Sequence, residues 1–236
     1  MADEEVLTNR LVYEARDETG AIYGSLGPLD WYRFRQTLKL VPTNTRSLLD
    51  CGCDRGQWLH YILQRRRIER HLGIDVAEAR VSEARSLHPE LSLSVAYLES
   101  LDRNQERFDV VTALEVLEHI PRWQDVLENI LRWAERRVII TVPYRQKVVM
   151  HVCIHCGRPT PPSGHLHSFS EETFPAVPGW RRWYNYIKDR GVEEPDWVRR
   201  AYRWMRPRTI WLAAIYDRGE LVPPSAPDCS PPADGR

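Results

Sequence analysis

Lysine is almost missing from this 236-residue chain, present only at Lys39, Lys147 and Lys188 among 33 basic residues. The rest are arginine, and so uniform a bias reads as genomic base composition before it reads as function, although arginine also suits carboxylates and phosphates. An excess of either charge is also missing. The 33 acidic residues balance the basic ones, so bulk electrostatics gives no reason to expect nucleic acid or a membrane as partner. No apolar run approaches the roughly 18 residues of a membrane-spanning helix. Met1–Asn9 is acidic and has no apolar segment, unlike a secretory leader. A soluble, cytoplasmic chain is expected, with no membrane partner. A disulfide framework is excluded by five cysteines, an odd number placed without regular spacing. No internal repeat is found.

What is present is a rhythm. Between Arg46 and Pro143, strand-like runs (Ser47–Cys51, His71–Val76, Leu91–Tyr97, Phe108–Leu114, Arg137–Val142) alternate with helical stretches. Trp58, Leu59, Ile62 and Leu63 repeat as one face of a helix, and so do Val126, Leu127, Ile130 and Leu131 after Pro121. Strands alternating with helices predict a doubly wound α/β fold, a mostly parallel sheet with helices on both faces. The predicted organisation is an N-terminal helical cap over 1–45, with a helix from Asp30 to Leu40, then a core over 46–143. Residues 144–208 break the rhythm as an insertion and substrate-covering region. A final core strand lies in 209–221, and the Pro-rich tail 222–236 reads as disordered.

The chemistry starts at Leu48-Leu49-Asp50-Cys51-Gly52-Cys53-Asp54-Arg55-Gly56, where a strand ends in a glycine-bearing turn and a helix opens. Glycine at the end of a first parallel strand lets a ligand approach the backbone. Asp75 closes the next strand, where an acid is placed to accept from ribose hydroxyls. The spacing D-x-G-x-x-x-G resembles the first motif of class I S-adenosylmethionine-dependent methyltransferases, with Asp54 in place of the middle glycine. Phe108-Asp109-Val110-Val111 running into Glu115-Val116-Leu117-Glu118-His119 resembles the fourth-strand motif of the same superfamily. The resemblance implies S-adenosylmethionine as cofactor, held by Asp50, Gly52, Cys53, Gly56, Asp75, Val76, Leu98, Leu114 and Glu115. At the adenine turn, Tyr97-Leu98-Glu99 has no Asp, so packing by Leu98 is expected there.

Two metal readings stay open. Cys153-x-x-Cys156 followed by His165-x-His167 supplies two thiolates and two imidazoles, the ligand set of a closed structural zinc site clipping a small insertion. His151 and His155 are alternative ligands. Separately, Glu115, Glu118 and His119 with a later histidine resemble the metal set of small-RNA 2′-O-methyltransferases.

Methyl transfer from a sulfonium is an in-line displacement, with a general base where the acceptor must lose a proton. His119 is the candidate base, oriented by Glu118. Trp180, Trp183, Tyr184 and Tyr186 are expected to stack on a flat acceptor. Trp197, Tyr202, Trp204 and Met205 either join them or bury a helix against the sheet. The expected function is methylation of a small-molecule acceptor, preferably at oxygen of a glycan or secondary-metabolite precursor, with nucleic acid not expected as partner. The alternatives are a metal-dependent RNA-end 2′-O-methyltransferase and a non-catalytic zinc-bearing binding protein on a degenerate core.

Overall fold

A computed structural model describes residues 26–101, 106–152, 157, 159–161 and 163–219. The expected tail and most of the N-terminal cap lie outside the described residues.

Helix α1 (Pro28–Leu40) opens with proline in its first turn, where the missing N–H costs nothing, and Asp30 bonds back to the Gly27 N–H. The chain then runs β1 (Ser47–Cys51), α2 (Gln57–Leu63), β2 (Arg70–Asp75), α3 (Glu78–Leu87), β3 (Leu93–Val95) and β4 (Phe108–Leu114). A 3₁₀ turn (Leu117–His119) leads to α4 (Trp123–Trp133) and β5 (Ala134–Pro143). After two short paired segments, His151–Val152 and Pro159–Thr160, come β6 (Trp180–Asp189), α5 (Trp197–Met205) and β7 (Arg208–Arg218).

The seven strands stand in the order β3-β2-β1-β4-β5-β7-β6. Pairings among β1–β5 are parallel, while β7 lies antiparallel between β5 and β6. Because successive strand side chains point to opposite faces, β4 sends Val111 and Ala113 to one core and Val110 to the other. The first core is covered by Val126, Leu127, Ile130 and Leu131 of α4, and the second by Phe34 of α1 with Trp58, Leu59 and Ile62 of α2. The predicted doubly wound sheet is therefore present, and no described helix is long and apolar enough to cross a membrane.

The C-terminal part of the chain differs from expectation in two places. Trp180, Trp183, Tyr184 and Tyr186 belong to the ten-residue edge strand β6, so the core sheet draws a strand from the region read as an insertion. Several of their polar tips are engaged: Trp183 Nε1 donates to Asp217 at 2.8 Å, and Tyr184 donates to the Glu171 carbonyl at 2.6 Å. Nor does α5 bury an apolar face against the sheet. Trp197, Tyr202, Trp204 and Met205 are all more than half exposed.

Candidate active site

Parallel strands deliver their C-terminal ends to one edge of a sheet, where the loops are free to hold a ligand. At that edge the turn after β1 meets the end of β2 and the turn after β4.

The first turn is held from behind. The Gly52 and Cys53 N–H groups donate to the Ile74 carbonyl at 2.7 and 3.0 Å. Gly52 has φ +73°, and a Cβ there would stand 2.3 Å from Val116 Cγ2. Glycine is thus required twice, by conformation and by close approach to the β4 turn. Asp54 has φ +49°, a left-handed conformation that aspartate tolerates better than most residues. It keeps the backbone course a middle glycine would give, while its carboxylate reaches Arg80 at 2.7 Å. The departure from the motif therefore leaves the hydrogen bonds of the turn in place.

Asp75 accepts from the Asp54 N–H (2.8 Å) and the Ala77 N–H (2.9 Å), one bond to each oxygen. Burial raises its pKa, and the two N–H bonds oppose that rise. Each oxygen keeps a second acceptor site, which suits a ribose diol. Asp50 lies beneath the turn, 2% exposed, accepting from Thr112 Oγ1 at 2.7 Å; Trp58 Nε1 in turn donates to that hydroxyl at 3.2 Å. Burial pushes Asp50 up to about 7 against the pull of the Thr112 bond. A cation reaching it, such as the ammonium of a methionine moiety, would restore its charge. Cys53 is buried and its thiol is driven well above the ordinary range by desolvation and neighbouring carboxylates, so it serves as packing. Val76 and Leu114 are half-buried at the ends of β2 and β4. Leu98 is 6% exposed within the core, and its carbonyl accepts from Asn129. These residues fit the adenosyl and amino-acid ends of S-adenosylmethionine.

The turn after β4 is tighter. Glu115 has φ +61°, costly for a non-glycine residue unless its surroundings hold it. They do: its carboxylate takes Trp211 Nε1 at 2.8 Å, Thr141 Oγ1 at 3.2 Å and Arg33 at 3.3 Å. Neither Arg33 nor Trp211 stood out in the sequence as a site residue. Glu115 is thereby committed to Arg33 and Trp211, apart from the group gathered next to it. That group is Glu118, His119 and His165, one ligand-type atom of each lying within 4.8 Å of the others. Glu118 is fully buried, and among the described residues neither of its carboxylate oxygens has a hydrogen-bond partner. Burial, with the Glu115 charge adding to it, pushes its pKa well up.

Among the described residues Glu118 makes no side-chain hydrogen bond to His119. The Gly164 carbonyl lies 3.0 Å from His119 Nδ1, and the His119 and His165 rings meet edge to face at 4.7 Å. The 163–169 loop is pinned by the Leu166 N–H on the Glu118 carbonyl (2.7 Å), which is how a histidine 46 positions after His119 reaches the turn. Of the four expected zinc ligands, Cys153 and Cys156 lie outside the described residues. His165 joins Glu118 and His119 and also contacts Gln146, while His167 Nε2 bonds the Ile120 carbonyl at 2.9 Å.

A family described as "Methyltransferase domain" matches residues 26–177. Among curated proteins, the chain is similar to the ubiquinone biosynthesis O-methyltransferase of Coxiella burnetii (strain Dugway 5J108-111), 28% identical over 101 residues. That stretch is 41% of this chain and spans only 42% of the relative's length. Among solved structures, magnesium protoporphyrin IX methyltransferase from Synechocystis PCC 6803 with bound S-adenosylmethionine superposes with TM-score 0.58 at 15% identity, covering 91% of this chain and 97% of its own. The small RNA methyltransferase HEN1 gives TM-score 0.61 at 17% identity, over 84% of this chain and 26% of that one.

Proposed function

We propose that this chain, which belongs to the methyltransferase-domain family and is an S-adenosylmethionine-dependent methyltransferase, methylates an oxygen of a small molecule. The observation that carries the reading is the bond from His119 to Gly164. A carbonyl oxygen only accepts, so Nδ1 of His119 holds the proton and Nε2 is the basic nitrogen. A hydroxyl brought to Nε2 gives up its proton there as its oxygen takes the methyl group. S-adenosylmethionine supplies the methyl on a positively charged sulfur. The chain's own part is to hold the cofactor on the turn after β1, to aim the acceptor oxygen and to remove its proton. The naming of the Coxiella burnetii relative as an O-methyltransferase favours oxygen as the acceptor atom. A glycan or secondary-metabolite precursor is the acceptor class we favour. A structural zinc on Cys153 and Cys156 belongs to the same proposal, with zinc content before and after Cys153→Ser as its check.

The test is transfer of a labelled methyl group to a panel of small hydroxylated acceptors. His119→Gln is expected to lower kcat by about a hundredfold while S-adenosylhomocysteine binds as before. Transfer that is indifferent to this substitution would sink the assignment of the base.

A second reading rests on Glu118. A buried carboxylate with no hydrogen-bond partner among the described residues, beside two imidazoles, is a place where a divalent ion could sit. Glu118, His119 and His165 would hold the ion, and it would lower the pKa of a coordinated acceptor hydroxyl, as the RNA-end alternative requires. Methyl transfer to RNA ends that needs Mg²⁺ or Mn²⁺, with binding that weakens steeply in salt, would favour this reading over the first.

A further inference from the structure

A second cluster of ligating side chains lies away from the β4 turn, behind the glycine turn. His60 projects from the middle of the short α2, while His88 and Glu90 sit on the connection between α3 and β3. The two imidazole rings stack with centroids 4.1 Å apart and 24° between their planes. Both meet the same carboxylate oxygen: Glu90 Oε1 is 2.8 Å from His60 Nδ1 and 3.9 Å from His88 Nδ1. One ligand-type atom from each of the three residues lies within 4.8 Å of the other two.

We propose that His60, His88 and Glu90 form a binding site for a divalent transition-metal ion of the zinc class, which braces the cofactor turn from behind. Zinc bound at about 2.0–2.1 Å in tetrahedral geometry sets its ligands about 3.3 Å apart, and the two measured contacts to Glu90 bracket that spacing. Two imidazoles and one carboxylate are a borderline-soft ligand set that favours zinc, cobalt or nickel over magnesium or calcium.

The link to the turn is structural. Gly56, which ends the turn at φ +74°, caps α2, and its carbonyl accepts from the His60 N–H at 2.8 Å. A Cβ on Gly56 would meet Leu91 Cδ1 at 2.6 Å and His88 Cδ2 at 3.9 Å. The Leu91 N–H in turn bonds the His88 carbonyl at 3.0 Å. An ion joining His60 to His88 and Glu90 therefore fastens the start of α2 to the segment on which Gly56 rests.

The test is a ZnCl₂ titration by equilibrium dialysis at pH 7.5. It uses the full chain carrying Cys153→Ser and Cys156→Ser, so that thiolates do not compete. The expected result is one equivalent of zinc bound through this cluster, with affinity at least about tenfold weaker after His60→Ala, His88→Ala or Glu90→Gln. Glu90→Gln keeps the side chain's length and removes only its charge, so it reports on the ligand even where a histidine variant folds poorly. Equal affinity and stoichiometry in the parent and all three variants would overturn the site. Zinc is also expected to tighten S-adenosylhomocysteine binding at least about twofold, and the cofactor product to tighten zinc by the same factor. Unchanged S-adenosylhomocysteine affinity at saturating zinc would overturn the brace.

Discussion

The turns after β1 and β4 lie side by side, and each contains an acidic residue in left-handed backbone, Asp54 and Glu115. They solve that strain differently. The β1 turn is closed on itself: Asp75 accepts two backbone N–H groups and Asp54 pairs with Arg80, all within 31 residues of Asp50. The β4 turn borrows its restraints from Arg33, Thr141 and Trp211, and still leaves the Glu118 carboxylate with no hydrogen bond among the described residues. A binding turn complete before its ligand arrives has little to reorganise. A turn with a buried polar group left over is finished by something else, a proton or a cation.

Breaking the first turn should have the largest effect. Gly52→Ala forces a side chain into left-handed backbone and against Val116, and is expected to cost about 2–3 kcal/mol of stability together with most of the S-adenosylhomocysteine affinity. Urea unfolding and calorimetric titration measure the two losses. The second turn is probed by pH. Burial raises the folded pKa of Glu118, and that of Asp50 to about 7. The folded chain thus holds protons that the unfolded chain releases above the ordinary carboxylate range. This contribution to stability is full below that range and falls as pH rises toward the raised values. Glu118→Gln has no proton to lose, so it should flatten the part of the decline that Glu118 contributes above the ordinary carboxylate range, and urea midpoints taken upward from that range would read it. An unchanged slope would mean that another group supplies the partner Glu118 lacks. The smallest effect is expected of Asp54→Gly, which relieves φ +49° but gives up a partly exposed pair with Arg80. The two changes nearly cancel, to within about 0.5 kcal/mol in the same denaturation experiment.

The same contrast explains how much could be read from the sequence. Strands β1 and β4 match their predicted bounds because they are buried β-branched and leucine-rich runs with sharp ends. The β1 turn was legible because its glycines and acids are close neighbours in the chain. Strand β6 was not: Trp-Arg-Arg-Trp-Tyr-Asn-Tyr-Ile-Lys-Asp is a half-exposed edge strand of long amphipathic side chains, and such a pattern also suits a surface cleft. His165 was singled out for its spacing from the cysteines, whereas its neighbours are set by the Leu166–Glu118 bond. Sequence spacing carries no trace of that bond. The pairing of Arg33 with Glu115 crosses 82 positions and is invisible for the same reason.

The restraints on Glu115 also bear on the order in which the site becomes native. Arg33 belongs to the first described helix, Thr141 to the middle of the chain and Trp211 to the last strand. During synthesis the cofactor turn has all its own bonds, including that from Thr112 to Asp50, once β4 has been made. The β4 turn must wait more than 90 further residues for the Trp211 indole. A nascent chain would thus complete the turn after β1 well before the turn after β4 has its restraints.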